Sequence, residues 1–290
     1  MNRNPYLALE DAVRDWCKKR PDILAGLVIG SRGREAASPD RRSDLDLLFF
    51  CRQADSYRES HAWLDHFGEV WIAALNFVGP GHPEWMIYLA PGLKADFLFV
   101  TANPGQTLAD MLDSLPYQQV LTRGFRLLYR SPTVAGEPVL TGARPRDYTL
   151  PTEWIFQQKV NATLFTAERF VKFAIRSDDW RSRYTFEAEL KAHLLAFIEW
   201  HAQAWGGSNV DTWYEGRHMA TWADSRFTGA VRHLDPGHHL SQQQAALSSF
   251  LDLFQSLAGE TATRLGYEFP TGGQRKMMAW LQAMMLNASG

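Results

Sequence analysis

Near residue 150 the chain changes character, and that change limits its fold more than any other feature. Before it, short apolar runs set between turn residues predict strands at 25–29, 45–50, 70–77, 86–90 and 96–100. A helix is expected over 5–20, where Leu7, Leu9, Ala12, Val13 and Trp16 recur at helical spacing and Pro21 ends the run. The stretch 107–129 reads as mostly helical. Ser131-Pro132, Gly136, Pro138, Gly142, Pro145 and Pro151 then form a connector rich in breakers. Beyond it, apolar residues recur at three and four over 153–175, 183–205, 242–265 and 273–286, the pattern of long amphipathic helices. The first half therefore reads as α/β and the second as helical, two domains over residues 1–150 and 151–290. No internal repeat or low-complexity tract interrupts them.

A chain of 290 residues that is 46% hydrophobic and 21% charged has enough apolar material for two cores, which excludes disordered, collagenous and coiled-coil readings. Lys and Arg total 30 against 32 Asp and Glu, a formal charge of −2, so nothing pulls the whole chain onto nucleic acid and any polyanion must be met locally. The first twenty residues place charges every few positions, and no later window approaches the roughly 20 apolar residues of a membrane span. A cytoplasmic location without membrane contact is expected. Cys17 and Cys51 are read as reduced thiols packed as small apolar groups.

The chemistry is concentrated between residues 30 and 50. An apolar strand ends in Gly30-Ser31, a polar loop follows, and the chain returns as a strand opening Ser43-Asp44-Leu45-Asp46-Leu47. Strand side chains alternate, so Asp44 and Asp46 project to one side while Leu45 and Leu47 enter a core on the other. Two carboxylates in one small volume repel unless a cation neutralises them, and Mg²⁺ is satisfied by a couple of carboxylates together with water and phosphate oxygens. The loop between the strands carries Arg32, Arg34, Arg41 and Arg42 against Glu35 and Asp40, a local +2 suited to a triphosphate. Gly30 lets backbone approach phosphate closely, and Ser31 and Arg32 carry natural donors to phosphate oxygens. If 94–100 is a strand beside 44–50, Asp96 brings a third carboxylate to the pair, placed to bridge a metal and to take a proton from an attacking hydroxyl.

Gly-Ser, a loop, Asp-x-Asp on the next strand and a third acid on a later strand resemble the nucleotidyltransferases of the DNA polymerase β superfamily; here they are Gly30-Ser31, Asp44-Leu45-Asp46 and Asp96. Within it the chain is most similar to the aminoglycoside 6-adenylyltransferase (streptomycin adenylyltransferase) group. The second half carries that part of the resemblance, in Glu189-Leu190 to Glu199-Trp200, in Asp211-Thr212-Trp213-Tyr214-Glu215-Gly216-Arg217-His218 and in Trp222-Ala223-Asp224. The resemblance implies an α+β fold, with a mixed-sheet nucleotidyltransferase domain over residues 1–150, a C-terminal helical bundle that binds substrate over 151–290 and substrate held in the cleft between them. It implies transfer of AMP from ATP to a hydroxyl of a small molecule, with Mg²⁺ on Asp44, Asp46 and Asp96. The general base would be Asp96 or a helical-domain glutamate, Glu189 or Glu187. Gly30, Ser31, Arg32 and Arg217 would contact the nucleotide, and Glu189 and Glu187 the acceptor. An aminoglycoside-type antibiotic is the expected acceptor, with a lincosamide or a protein as alternatives; a nucleotide-binding regulator without turnover is the reading from a different class.

Plainer roles compete at several of these positions. Glu187 and Lys191 stand at i,i+4 and suit a helical ion pair, and Arg217 after Gly216 suits a structural cap as well as a phosphate contact. The tryptophans at 154, 180, 200, 205, 213 and 222 are expected mostly in the core by size and spacing. His61, His66, His233, His238 and His239 lack zinc-ligand spacing. Phosphate-loop, dinucleotide-fold and nucleophile-elbow motifs are absent.

Overall fold

The computed structural model describes residues 4–34, 39–40, 42–116, 118–140, 150–207, 210–212 and 214–287. The loop residues 35–38 and Arg41, the connector's Gly142 and Pro145, and Trp213 lie outside them. The chain forms two compact units, Met1–Asp147 and Tyr148–Gly290.

In the first unit, the Asn4 side chain accepts from the Tyr6 amide and caps α1 (Pro5–Lys18), whose Pro5 occupies the first turn, where no amide donor is needed. Then come β1 (Ile23–Ile29), a single helical turn α2 (Gly30–Gly33), β2 (Leu45–Cys51), β3 (Val70–Val78), β4 (His82–Leu89) and β5 (Leu93–Thr101). The expected helix over 107–129 is instead α3 (Leu108–Asp113), α4 (Gln118–Leu121) and a strand, β6 (Arg126–Arg130). Pro116 and Gly124, the latter at φ 116°, break the helix, and the edge of β1 offers 126–130 an antiparallel partner. The strand order is β3-β4-β5-β2-β1-β6, with β2 and β5 parallel and the other neighbours antiparallel, so the sheet is mixed.

Alternation along β2 and β5 divides their side chains between two cores. On one face Leu45, Leu47, Phe49, Phe97 and Phe99 pack with Leu9, Val13 and Trp16 of α1. On the other, Leu48, Phe50, Leu98 and Val100 pack with Leu108, Met111 and Leu112 of α3. Cys17 and Cys51 are buried and unbridged, and burial pushes both thiols up to about 12.

The second unit is helical: α5 (Glu153–Ile175), α6 (Asp179–Tyr184), a π-helical turn over Thr185–Leu190, α7 (Lys191–Gly206), α8 (Met219–Trp222), α9 (Ser225–Val231), α10 (Leu240–Leu265) and α11 (Gly272–Asn287). The single helix expected over 183–205 is therefore interrupted by that π turn. Phe156, Phe170, Phe186, Phe197, Phe250 and Phe254 fill the core. The tryptophans do not: Trp154, Trp180 and Trp205 are exposed, and Trp200 and Trp222 lie at its margin. Trp154 shows why, standing two residues before the core residue Phe156 and hence on a different face of α5. Among the described residues no helix is long and apolar enough to cross a membrane.

Candidate active site

Strand register assembles the acids. Asp46 lies opposite Ile29 in the antiparallel β1–β2 pair and opposite Asp96 in the parallel β2–β5 pair. Asp44, just ahead of β2, joins them, and one carboxylate oxygen from each of the three lies within 4.8 Å of the others. The three stand on the sheet face that carries Leu48, Phe50, Leu98 and Val100, beyond the end of that apolar core.

Gly30 is required at this point. Its φ is +66°, a conformation that side chains rarely adopt, and a Cβ there would lie 1.9 Å from Asp46 Oδ2. The chain then turns into α2, where Gly33 is equally constrained, since a Cβ would meet the Val28 carbonyl oxygen at 2.4 Å. Ser31 follows Gly30, partly exposed.

Crowding and burial set the electrostatics. Burial, then the charges of Asp44 and Asp96, push the Asp46 carboxyl up to about 7. Burial and the Asp44 charge raise Asp96 as well, and Lys94 opposes them. Asp96 Oδ1 is buried and has no hydrogen-bond partner among the described residues. Three hard oxygen donors this close, one resisting ionisation and one with an unpaired buried oxygen, fit a divalent cation such as Mg²⁺.

Two residues that sequence reasoning passed over belong here. Lys94 Nζ donates to Asp44 Oδ2 at 2.6 Å and to Asp96 Oδ2 at 3.0 Å. Burial works against its charge, yet the two carboxylates raise its pKa. Its spacing from Asp96, two positions on one strand, is the feature that would have found it. Glu84 on β4 is raised by burial and by the Asp96 charge, and accepts from Asn76 at 3.1 Å.

Arg32, expected on a phosphate, is engaged with the protein. Nε donates to the carbonyls of Ser43 and Asp44, both at 3.1 Å, and Nη2 to Ser43 at 2.8 Å and Asp40 at 3.3 Å. Its guanidinium lies 3.7 Å from the centre of the Tyr6 ring. In this position it braces the segment that delivers Asp44.

The remaining predicted residues lie in the second unit. Glu187 and Glu189 stand on the π turn, Glu187 paired with Lys191 at 2.6 Å and Glu189 with Arg169 of α5. Arg217 is exposed between Gly216 and the left-handed His218, and its carbonyl accepts from the Trp222 indole at 2.9 Å. On α7, burial pushes Glu199 up to about 6, and burial with the nearby Lys159 and Arg169 pushes His193 down to about 4.

Residues 8–284 match the family model described as streptomycin adenylyltransferase. No curated protein matches the chain. Among solved structures, an aminoglycoside 6-adenyltransferase from Bacillus subtilis is 13% identical, with a TM-score of 0.45 over 98% of this chain and 99% of that one.

Proposed function

The chain belongs to the streptomycin adenylyltransferase family, and from that premise we propose that it transfers AMP from ATP to a hydroxyl of a small aminoglycoside-type acceptor. The observation that carries this reading is the convergence of Asp44, Asp46 and Asp96 at the end of β1, beside Gly30-Ser31. The acceptor oxygen forms a bond to the α-phosphorus, the bond to the β-phosphate oxygen breaks, and pyrophosphate departs with that electron pair. Bound by Asp44, Asp46 and Asp96, Mg²⁺ would supply charge stabilisation for the transferring phosphoryl group.

The chain's own residues do the rest. Asp96 takes the hydroxyl proton on its carboxylate, which stands with Asp44 and Asp46 at the end of the sheet. Gly30 and Ser31 admit the triphosphate backbone-first, and Arg32 fixes the Asp44 segment through the Ser43 and Asp44 carbonyls. Arg217 supplies a positive charge to the nucleotide. Glu189 and Glu187 receive the cationic acceptor in exchange for Arg169 and Lys191.

Pyrophosphate release tests the reading, measured with ATP, Mg²⁺ and a panel of aminoglycosides. Wild type releases pyrophosphate only with an active acceptor, and Asp44→Asn loses at least roughly a thousandfold in rate, because several kcal/mol of charge stabilisation go with the carboxylate. Release that is independent of acceptor, or an Asp44→Asn variant of near-normal rate, overturns it.

A further inference from the structure

Lys94 is a cation built into the cluster of carboxylates. Lys94 and Asp96 are two residues apart on β5, so both side chains leave the same face of the sheet. The ammonium spans the strands, bonding Asp44 Oδ2 at 2.6 Å and Asp96 Oδ2 at 3.0 Å. The site is half-sheltered, with 31% of the Lys94 side chain and 16% of the Asp96 side chain exposed, so these charges are less screened than a surface pair.

We propose that Lys94 controls divalent-ion entry: its ammonium holds two of the three carboxylates, and a cation that engages all three must displace it from Asp44 and Asp96. This rests on the reading of the acids as the metal site. Displacement strands an ammonium beside a neutralised site, and a triphosphate is the anion that can receive it, since a lysine ammonium serves as a mobile point charge for phosphate. Free metal then binds weakly, because it must eject a well-bonded cation with nothing offered in return. Metal arriving with the triphosphate binds well, because the lysine exchanges carboxylate for phosphate. Lys94 thereby couples the two ligands, each raising affinity for the other by the same factor.

Binding of Mn²⁺ alone, followed by electron paramagnetic resonance on the full chain, tests this without turnover. Lys94→Met is expected to bind Mn²⁺ about tenfold or more tightly than wild type when nucleotide is absent, as a competing charge within hydrogen-bond distance of the ligands is gone. A non-hydrolysable ATP analogue should tighten Mn²⁺ strongly in wild type and much less in Lys94→Met. Lys94→Arg, which keeps the charge, should behave as wild type. Circular dichroism establishes that each variant is folded, and if Lys94→Met is not, Lys94→Gln replaces it. Equal or weaker Mn²⁺ binding by the folded neutral variant, while Asp46→Asn abolishes the wild-type site, overturns the role of Lys94 alone. Absence of Asp46-dependent Mn²⁺ binding in every variant, with and without analogue, overturns the metal-site reading and this inference together.

Discussion

Asp46 is the carboxyl pushed furthest from its ordinary range among the described residues of the sheet unit. Its folded pKa, about 7 against an ordinary 3.8, means that between those values the folded protein holds a proton the unfolded chain has released. Stability from this group is therefore fully present below pH 3.8 and is lost as pH rises through 7. Three pKa units correspond to a loss on the order of 4 kcal/mol. Asp96 and Glu84, also raised, add in the same direction. Asp224 and Glu260, whose carboxyls Arg226 holds below the ordinary range, act in the opposite sense at more acidic pH, and His193, pushed down to about 4, opposes Asp46 up to about pH 6.5, so the Asp46 share is read from the slope that its substitution removes. Chemical denaturation in a chelator should accordingly show wild type less stable at pH 8 than at pH 5.5. Asp46→Asn, which has nothing to titrate, should flatten most of that difference; a variant with the wild-type slope would place the tension elsewhere.

The strand end and the turn after it act together. Gly30→Ala combines a left-handed backbone with a Cβ that would meet Asp46 Oδ2 at 1.9 Å, so either the carboxylate or the turn must move. The strain is worth about 1–3 kcal/mol of stability, and turnover should fall with it, because the displaced group is one of the acids. A stable, fully active Gly30→Ala enzyme would show that the carboxylate tolerates displacement. Arg32 gives a different separation. A phosphate ligand replaced by alanine raises the KM for ATP, whereas a brace on the Ser43 and Asp44 carbonyls lowers kcat by letting an acid drift. Arg32→Ala should thus lose about 10–100-fold in kcat, as supporting residues behind metal ligands commonly do. A change confined to KM would return Arg32 to the nucleotide.

How legible each part was follows from the range of the contacts involved. The alternation Asp44, Asp46 against Leu45, Leu47 is written in adjacent residues, and so was readable together with β1, β2 and the long helices. The strand β6 is short and exists because β1, about a hundred residues earlier, offers it an edge, a partnership no local pattern contains. Arg32 reaches across eleven residues to Ser43, and Lys94 across fifty to Asp44, so both roles appear only once the sheet register is known. The phenylalanines of the helical unit also took the interior that size alone would assign to tryptophan.

At the scale of the whole molecule, a net charge of −2 leaves the protein without general attraction for a nucleoside triphosphate. The candidate site makes that local, since Asp44, Asp46 and Asp96 together outweigh the single ammonium of Lys94 and repel an unescorted polyanion. A divalent ion reverses the sign of the interaction by bridging carboxylate and phosphate. ATP should therefore raise the melting temperature only with Mg²⁺ or Mn²⁺ present. At about a hundred times its Kd, a ligand that binds only the folded state adds about 2.7 kcal/mol, a shift of several degrees for units of this size. The scan is run with ATP alone, metal alone, both together, and both with excess EDTA, on wild type and on Asp46→Asn. A shift in wild type that needs both ligands and vanishes in Asp46→Asn is the expected result. An equal shift in EDTA would mean that arginines hold the triphosphate unaided and that the acids repel too weakly to govern its entry.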